Sequence, residues 1–240
     1  MIIMAHLKRL MASKHFAIER KTKKYTVAPT PGPHAKDGCI PLQIVLRDVL
    51  GVAANAAEVK KILNEGNIRV DGKIIKNPKF PLGMMDVLEI PKTKDAYRVI
   101  PVEGKLSLNK IDETHAKFKL CKITNKTTIK GGKFQINMHD GRNIIFGEAD
   151  AKKYAVGDTI KISLPDQKII EHFALKTGNL GMIESGKSAG TVGKVKEIII
   201  VKGRESNKVV IDSDGSDFRT IKEYVFVIGE KTPEIILKKK

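Results

Sequence analysis

Cysteine is scarce in this chain. The 240 residues contain 2 cysteines, Cys39 and Cys121, which lie far apart and have no cysteine or histidine neighbour at metal-ligand spacing. A disulfide framework or a zinc site needs several such residues in a regular pattern. The sequence therefore predicts neither, which fits a reducing cytoplasm, and we expect no bound metal and no cofactor.

Long apolar runs are also missing. No stretch approaches the roughly 20 apolar residues of a membrane-spanning helix. The apolar run Met1–Ala5 is too short for the core of a signal peptide, and Lys8 and Arg9 follow it rather than precede it. The basic residues are not arranged along one long amphipathic helix either. We therefore expect a soluble, cytoplasmic protein without a membrane partner.

Acidic residues are far fewer than basic ones. The chain has 44 lysines and arginines against 27 aspartates and glutamates, which gives a net charge of +17. Basic residues exceed acidic ones by 8 to 2 in residues 1–41, 9 to 7 in 42–96, 14 to 9 in 97–172 and 13 to 9 in 173–240. Because every segment is positive, we expect a polyanion such as nucleic acid to contact the whole length of the chain.

Residues 1–41, which we call the N-terminal arm, combine positive charge with proline. A basic run spans Arg20–Lys24, and the prolines of Pro29–Pro33 exclude both a helix and a central strand. The pattern predicts an extended arm without a packed core that orders only on its partner, with a solvating tail as the alternative. The candidates for contact with RNA are Lys8, Arg9, Lys14, Arg20, Lys21, Lys23 and Lys24 through phosphates, with His15 and Tyr25 available for hydrogen bonding or for stacking on a base.

Residues 42–96 predict two helices followed by a hairpin, because apolar residues recur first at helical and then at strand spacing. The boundary residues are Gly51 and Gly66 at the helix ends, Asn55 at the second N-cap, and Asp71 with Gly72 in the hairpin turn. The basic surface positions are Arg47, Lys60, Lys61, Arg69 and Lys73. This layout resembles the small RNA-binding module of bacterial ribosomal protein S4, pseudouridine synthases and tyrosyl-tRNA synthetases; an ordinary helix pair with exposed lysines is the alternative.

Residues 97–172 predict a β-rich domain. Short alternating runs at 134–138, 143–146 and 159–164 indicate strands separated by glycine and aspartate turns, as in a small barrel or sandwich. His115, His139 and His172 have no nucleophile or carboxylate at a spacing that indicates catalysis. We therefore interpret them as surface or turn residues.

Residues 173–240 contain a match to the nucleotide-binding P-loop, G-x-x-x-x-G-K-[ST], at Gly181–Ser188. That motif needs a helix directly after the loop, whereas residues 189–201 are broken by glycine and then β-branched, which predicts a strand. The glycines of 178–193 instead resemble the KOW motif, a β-loop-β element of ribosomal proteins and transcription elongation factors. In that interpretation Lys187, Lys194 and Lys196 are the charged contacts, and the segment forms a small SH3-type barrel followed by a basic tail.

The ordered combination of these motifs resembles the archaeal and eukaryotic small-subunit ribosomal protein S4e family. The matching segments are His6–Arg9, Pro31–His34, Leu46–Asp48, Glu58–Leu63, Val70–Lys73, Pro81–Val87 and the KOW-like residues 178–193. The resemblance implies an α+β multidomain protein with a basic N-terminal extension (1–41), an αα-β RNA-binding module (42–96), a β-rich central domain (97–172) and a C-terminal KOW-like barrel (173–240).

The same resemblance implies a function. We expect a non-enzymatic constituent of the small ribosomal subunit that binds its ribosomal RNA, contacts neighbouring ribosomal proteins, takes no small-molecule substrate and supports subunit assembly and translation. An RNA-modifying enzyme and a KOW-containing transcription factor are the alternatives. Met1–Ile3 precede the Met4-Ala-His-Leu start that is usual in the family, so translation from Met4 is an alternative to translation from Met1.

Overall fold

The computed structural model describes residues 6–213 and 215–237. The start at Met1 or Met4 and the basic end Lys238–Lys240 lie outside these residues. The chain divides into two compact units, one of residues 1–100 with 105–116 and one of residues 101–104 with 117–240. No helix within the described residues is both long and apolar enough to cross a membrane.

The first unit contains short strands and most of the helical structure. Its strands are β1 (Leu7–Lys8), β2 (Tyr25–Thr26), β3 (Cys39–Pro41), β4 (Arg69–Val70), β5 (Lys73–Ile74), β6 (Pro81–Gly83), β7 (Val87–Ile90), β8 (Asp95–Val102), whose last two residues belong to the second unit, and β9 (Lys105–Ile111). Its helices are α1 (Leu42–Ile44), a π-helical turn (Val45–Val49), α2 (Ala56–Asn64) and α3 (Glu113–Ala116), with 3-10 turns at Arg9–Met11 and Lys36–Gly38. The strands pair as β1-β2, β3-β6 and β5-β4-β7-β8-β9.

The core of this unit follows the apolar periodicity of the sequence. The side chains of Leu42, Leu46, Val59 and Leu63 from the helical segments are fully buried. So is Leu88 from the central strand β7. Each such side chain contributes about 1.5–3 kcal/mol through the surface that it removes from water.

The first predicted helix is present, but half of it is wider than an α-helix. The amide of Leu50 donates to the carbonyl of Val45 at 2.9 Å, a spacing of five residues that defines a π-turn. Gly51 follows with φ 64°, and this left-handed conformation is the one expected at a glycine that ends a helix.

The N-terminal arm is more ordered than its sequence predicts. Leu7, Ala12 and Phe16 are buried, and β1 pairs antiparallel with β2. The prediction of an arm without packing rests on its positive charge and its prolines and takes no account of its apolar residues. The apolar residues between the lysines are enough to bury one side of the segment.

The second unit consists of two five-stranded antiparallel sheets. The first sheet contains β10 (Phe118–Ile129), β11 (Lys133–Met138), β12 (Asn143–Phe146), β13 (Thr159–Ser163) and β14 (Ile169–Phe173), in the order β12-β11-β10-β13-β14, with helix α4 at Glu148–Ala151. The second contains β15 (Leu180–Ile183), β16 (Val192–Ile199), β17 (Lys208–Ser213), β18 (Ser216–Ile221) and β19 (Val225–Gly229), in the order β18-β17-β16-β15-β19, with a 3-10 turn at Lys222–Tyr224. The strands predicted at 134–138, 143–146 and 159–164 are confirmed.

Each sheet of the second unit has its own apolar core. Cys121, Ile123, Ile136, Met138, Ile160 and Ile162 form one cluster, and Ile183, Val195, Val209, Ile211 and Val225 form the other. The chain is thus a strand-rich mixed α/β protein with few helices, which is the coarse class that the sequence predicts.

Candidate nucleic-acid interface

Residues 6–26 form a closed loop that we call the N-terminal clasp. Its two ends meet where Leu7 pairs with Thr26 and Lys8 pairs with Tyr25. The amide of Arg9 continues this pairing and donates to the carbonyl of Lys24 at 3.0 Å. The basic run 20–24 is therefore held beside the start of the described chain and does not trail away from it.

Two arginines hold the interior of the clasp. The guanidinium of Arg20 donates to the carbonyl of Ala12 at 2.8 Å and to that of Ser13 at 3.0 Å. Arg9 is only 8% exposed, and its Nε donates to the carbonyl of Glu19. Both were predicted to contact RNA, and the structure gives both an internal role; Arg9 is not at the surface.

His15 also faces inward in part. Burial lowers the pKa of its imidazole, and the nearby carboxylate of Asp37 opposes this effect only partly. A half-buried imidazole with a lowered pKa is neutral at pH 7, so His15 does not add a positive charge to the surface.

Four lysines of the clasp and part of Arg20 surround a shallow groove. The groove has a volume of about 530 Å³. It is lined by Lys8, Leu10, Arg20, Lys21, Thr22, Lys23 and Lys24. No acidic side chain is among these residues, and the four lysines are exposed, as is Lys14 nearby in sequence. Such a groove is suited to the phosphates of a nucleic acid.

The helix pair of residues 42–66 presents basic residues from a well-capped scaffold. The side chain of Asn55 accepts a hydrogen bond from the amide of Glu58 at 3.0 Å, and the Glu58 carboxylate accepts one from the amide of Ala54 at 2.7 Å. Two backbone amides at the start of the helix, which have no partner within the helix, are thereby hydrogen-bonded. Lys60 and Lys61 are exposed on the helix that starts here. The predicted N-cap is thus confirmed.

The hairpin after the second helix places two more cations at the surface. Asp71 and Gly72 have φ angles of 50° and 76°, which confirms the predicted tight turn. The Asp71 carboxylate accepts from the amide of Val87 at 3.0 Å and fixes the turn against β7. Arg69 and Lys73 on either side are exposed.

Arg47 differs from the other candidates because it has an acidic partner. Its guanidinium contacts the Asp48 carboxylate at 2.7 Å, and this hydrogen bond raises the pKa of Arg47. The partner carboxylate offsets the positive charge of Arg47 locally, so Arg47 attracts a phosphate less than an unpaired lysine does.

The P-loop-like segment has no P-loop geometry. Strand β15 leads into the loop and strand β16 follows it, as the sequence predicts. Because a strand and not a helix follows the loop, no helix N-terminus faces the position that a phosphate would occupy. Lys187 is exposed in the loop, and Lys194 and Lys196 are exposed on β16. The Lys196 ammonium pairs with Asp217 at 2.9 Å, which raises its pKa.

Close packing within the chain explains why two positions of this segment are glycines. A Cβ at Gly193 would lie 2.1 Å from the carbonyl oxygen of Asp212, and one at Gly190 would lie 2.9 Å from that of Pro101. Both distances are below any real Cβ contact. These glycines therefore permit close backbone approach inside the second unit, and they do not require an RNA partner to explain them.

A buried charge cluster lies at the turn after β11, and the sequence analysis missed it. The Asp140 carboxylate contacts the Lys119 ammonium at 3.1 Å and the Arg142 guanidinium at 3.3 Å. Burial by itself would raise the pKa of Asp140, but the positive charges of Lys119, His139 and Arg142 outweigh it and lower the pKa to about 2. The group is an ionised carboxylate with cationic partners.

The same cluster brings a cysteine close to a histidine. Potential ligand atoms of Cys121, His139 and Asp140 lie within 4.8 Å of one another, although they are distant in sequence. The antiparallel pairing of β10 with β11 brings them together, so spacing along the chain could not reveal them. Because Lys119 and Arg142 already neutralise the carboxylate, a metal ion would have to compete with both cations, and the trio is not a good metal site.

His172 and two charged groups that line a cavity of the second unit have partners within the chain. His172 lies on β14 rather than in a turn, and its Nε2 contacts the Asp158 carboxylate at 2.8 Å.

A cavity of about 690 Å³ is lined in part by Lys122 and Glu184. These two groups pair with each other at 3.2 Å, so they do not offer an unpaired charge to a small molecule.

Comparisons with known proteins found relatives along the whole chain. Three family models match: the RS4NT (NUC023) domain over residues 3–37, the S4 domain over 40–88, and the Ribosomal family S4e over 93–169. The small ribosomal subunit protein eS4 of Methanothermobacter thermautotrophicus is 48% identical over 99% of this chain and 98% of its own length. That of Staphylothermus marinus is 45% identical over 97% of this chain and 95% of its own.

A solved structure is similar as well. The crystal structure of the 30S ribosomal protein S4e from Thermoplasma acidophilum superposes with a TM-score of 0.70 at 35% identity. The match covers 81% of this chain and 97% of that chain. The likeness in sequence thus extends to the fold.

Proposed function

The chain belongs to the ribosomal S4e family, and we propose that it is a non-enzymatic constituent of the small ribosomal subunit in the cytoplasm. In this role it binds ribosomal RNA and supports subunit assembly and translation. The observation that carries the proposal is the full-length identity of 45–48% to small ribosomal subunit proteins named eS4. The S4 domain match over residues 40–88 supports the RNA-binding part.

We propose that exposed cations in three regions, two in the first unit and one in the second, contact RNA. They are Lys8, Lys14, Lys21, Lys23 and Lys24 in the clasp, Lys60, Lys61, Arg69 and Lys73 in the helix pair and hairpin, and Lys187 and Lys194 around β16. Lys196 on β16 is also exposed, but like Arg47 it has a carboxylate partner and contributes less. Arg9 and Arg20 support the clasp through their contacts with backbone carbonyls. The half-buried His15 and the Asp48-paired Arg47 contribute less to RNA binding than the exposed lysines do. Each phosphate that a lysine or arginine neutralises releases counterions, so binding weakens steeply with salt.

We also propose a finer division of the fold, in which residues 42–96 are an αα-β RNA-binding module and residues 173–240 a KOW-like SH3-type barrel. The capped helix pair with its Asp71-Gly72 hairpin supports the first assignment. The five-stranded order β18-β17-β16-β15-β19 supports the second. Residues 1–41 are then the basic extension. A central domain at 97–172 would begin inside strand β8, and residues up to 100 together with 105–116 belong to the first unit, so we place the start of the β-rich central domain at residue 117. The exposed faces of these regions are available to neighbouring ribosomal proteins.

Sedimentation of a gently lysed native extract through a magnesium-containing sucrose gradient tests the proposal. We expect the chain to migrate with small subunits and whole ribosomes and to stay there after a wash in moderate salt. When magnesium is lowered to separate the subunits, it should follow the small one and leave the large one. A peak among free proteins, or with RNA polymerase, would contradict the proposal.

A further inference from the structure

We propose that the exposed face of the N-terminal clasp binds an unpaired RNA nucleotide, whose base stacks on Tyr25 and whose flanking phosphates contact the lysines of the groove. This inference rests on the proposed function and specifies the RNA element that this part of the surface takes.

The ribbon has one buried face and one exposed face. Directly paired residues of an antiparallel ribbon project to the same side, and successive residues alternate. Leu7 is buried, as is expected for the inner face, while its neighbours His6 and Lys8 and the partner of Lys8, Tyr25, are exposed. His6, Lys8 and Tyr25 therefore share the outer face.

An aromatic surface lies on this outer face. Tyr25 is 45% exposed although it is an aromatic residue, and its ring centroid lies 5.1 Å from that of His6 at an angle of 38° between the planes. The ammonium of Lys24 lies 5.4 Å from the Tyr25 centroid. One ring neighbour and one cation neighbour orient the tyrosine and leave much of it open to solvent.

The lysine groove adjoins this ring. Lys8 pairs with Tyr25 across the ribbon, Lys24 precedes it in the chain, and both also line the groove of about 530 Å³. A base stacked on Tyr25 would thus have its neighbouring phosphates within reach of Lys8, Lys24 and the further groove lysines Lys21 and Lys23.

The chemistry favours an unpaired nucleotide over a duplex. A base inside a double helix has both faces covered by its neighbours, whereas an unpaired base can splay out onto an aromatic side chain. An acidic peptide would meet the lysines equally well, but it would have no planar group for the ring. The combination of exposed aromatic ring and cation-lined groove therefore favours single-stranded RNA.

The absence of tryptophan from the chain gives a direct test. In a Tyr25→Trp variant of the full chain, the indole is the only one present, and stacking of a base on it quenches its fluorescence. We expect a single-stranded RNA oligonucleotide to quench this emission strongly, and a long blunt duplex or polyglutamate to bind with little quenching. Binding is followed independently by anisotropy of the labelled ligand.

A Tyr154→Trp variant is the matched control, because Tyr154 is half-buried between Phe146 and His172 and lies far from the clasp in sequence. Its emission should not respond to the oligonucleotide. RNA that binds without quenching the Tyr25→Trp variant, or polyglutamate that quenches it as strongly as RNA does, would overturn the inference.

Affinity measurements separate this inference from the proposed function. Loss of one base-aromatic stack weakens binding by about 5- to 150-fold. We expect that loss for Tyr25→Leu with the single-stranded oligonucleotide and near wild-type affinity for Tyr25→Phe, which keeps the ring. Failure of the wild-type chain to bind ribosomal RNA would refute the proposed function, whereas full affinity of Tyr25→Leu would refute only the stacking site.

Discussion

Asp140 illustrates how single residues link charge to stability. Its pKa is about 2 in the folded protein, below the value of about 3.9 expected in an unfolded chain. Because the folded pKa is the lower one, the stabilisation is present above pH 4 and is lost as the pH falls towards 2.

We expect Asp140→Asn to lower the free energy of unfolding by about 3–5 kcal/mol at pH 7, because the buried ammonium of Lys119 loses its anion. Urea denaturation measures the loss. Asp150→Asn is the control, since Asp150 pairs with Lys153 at an exposed site, where such pairs contribute about 0–1 kcal/mol.

The pH dependence provides a second check on the same residue. The difference between wild type and Asp140→Asn should shrink as the pH falls from 4 to 2, because protonation then neutralises the wild-type carboxylate as well. A difference that stays constant over this range would mean that the loss arises from packing and not from charge.

The stability of the second helix, α2, depends on the side chain at its N-terminus. Its first turn is closed by the Asn55 side chain, which accepts from the amide of Glu58 at 3.0 Å. We expect Asn55→Ala to lower the free energy of unfolding by about 1 kcal/mol, because this amide loses its partner. Chemical denaturation checks the value, and Lys60→Ala on the exposed side of the same helix should change it by less than about 0.5 kcal/mol. Equal effects of the two substitutions would mean that the cap does not stabilise the helix.

Structural elements that depend only on residues close together in the sequence could be predicted from it. The cap at Asn55, the turn at Asp71 and Gly72, and the strand after Lys187 each depend on residues within a few positions of one another. The π-turn at Val45–Val49 could not be predicted, because apolar spacing indicates a helix but does not distinguish its width. The cluster of Cys121, His139 and Asp140 was missed because strand pairing, and not sequence, makes these residues neighbours.

The candidate surface was predicted only in part for a similar reason. Charge and position indicated the lysines of the clasp correctly as exposed. They could not separate Lys21 from Arg20, because only the fold reveals that Arg20 donates to backbone carbonyls. Likewise, the sequence offered Tyr25 as a stacking ring but did not indicate that His6 and Lys8 share its face of the ribbon.

For the whole molecule, the net charge of +17 predicts RNA binding that depends strongly on salt. We expect the triple substitution of Lys21, Lys23 and Lys24 to glutamine to reduce the slope of log affinity against log salt by about 2 for a single-stranded RNA, since each phosphate contact contributes about 0.7. Filter binding over a range of salt concentrations measures both slopes.

The control for this experiment replaces Lys152 and Lys153 by glutamine. These lysines are also exposed, but each has a carboxylate partner, Glu148 and Asp150 respectively. We expect an unchanged slope. If both sets of substitutions changed it equally, binding would follow total charge and not the groove.

The choice of hydrogen-bond partners for Arg20 has an electrostatic consequence. Its guanidinium is held by the carbonyl oxygens of Ala12 and Ser13, which carry no net charge, so its full positive charge persists in the field around the groove. A carboxylate in their place would hold the loop equally well but cancel that field. We therefore expect the residue that fixes the shape of the clasp also to attract an approaching RNA across a Debye length of about 8 Å at physiological ionic strength, and to accelerate the first encounter before any contact forms.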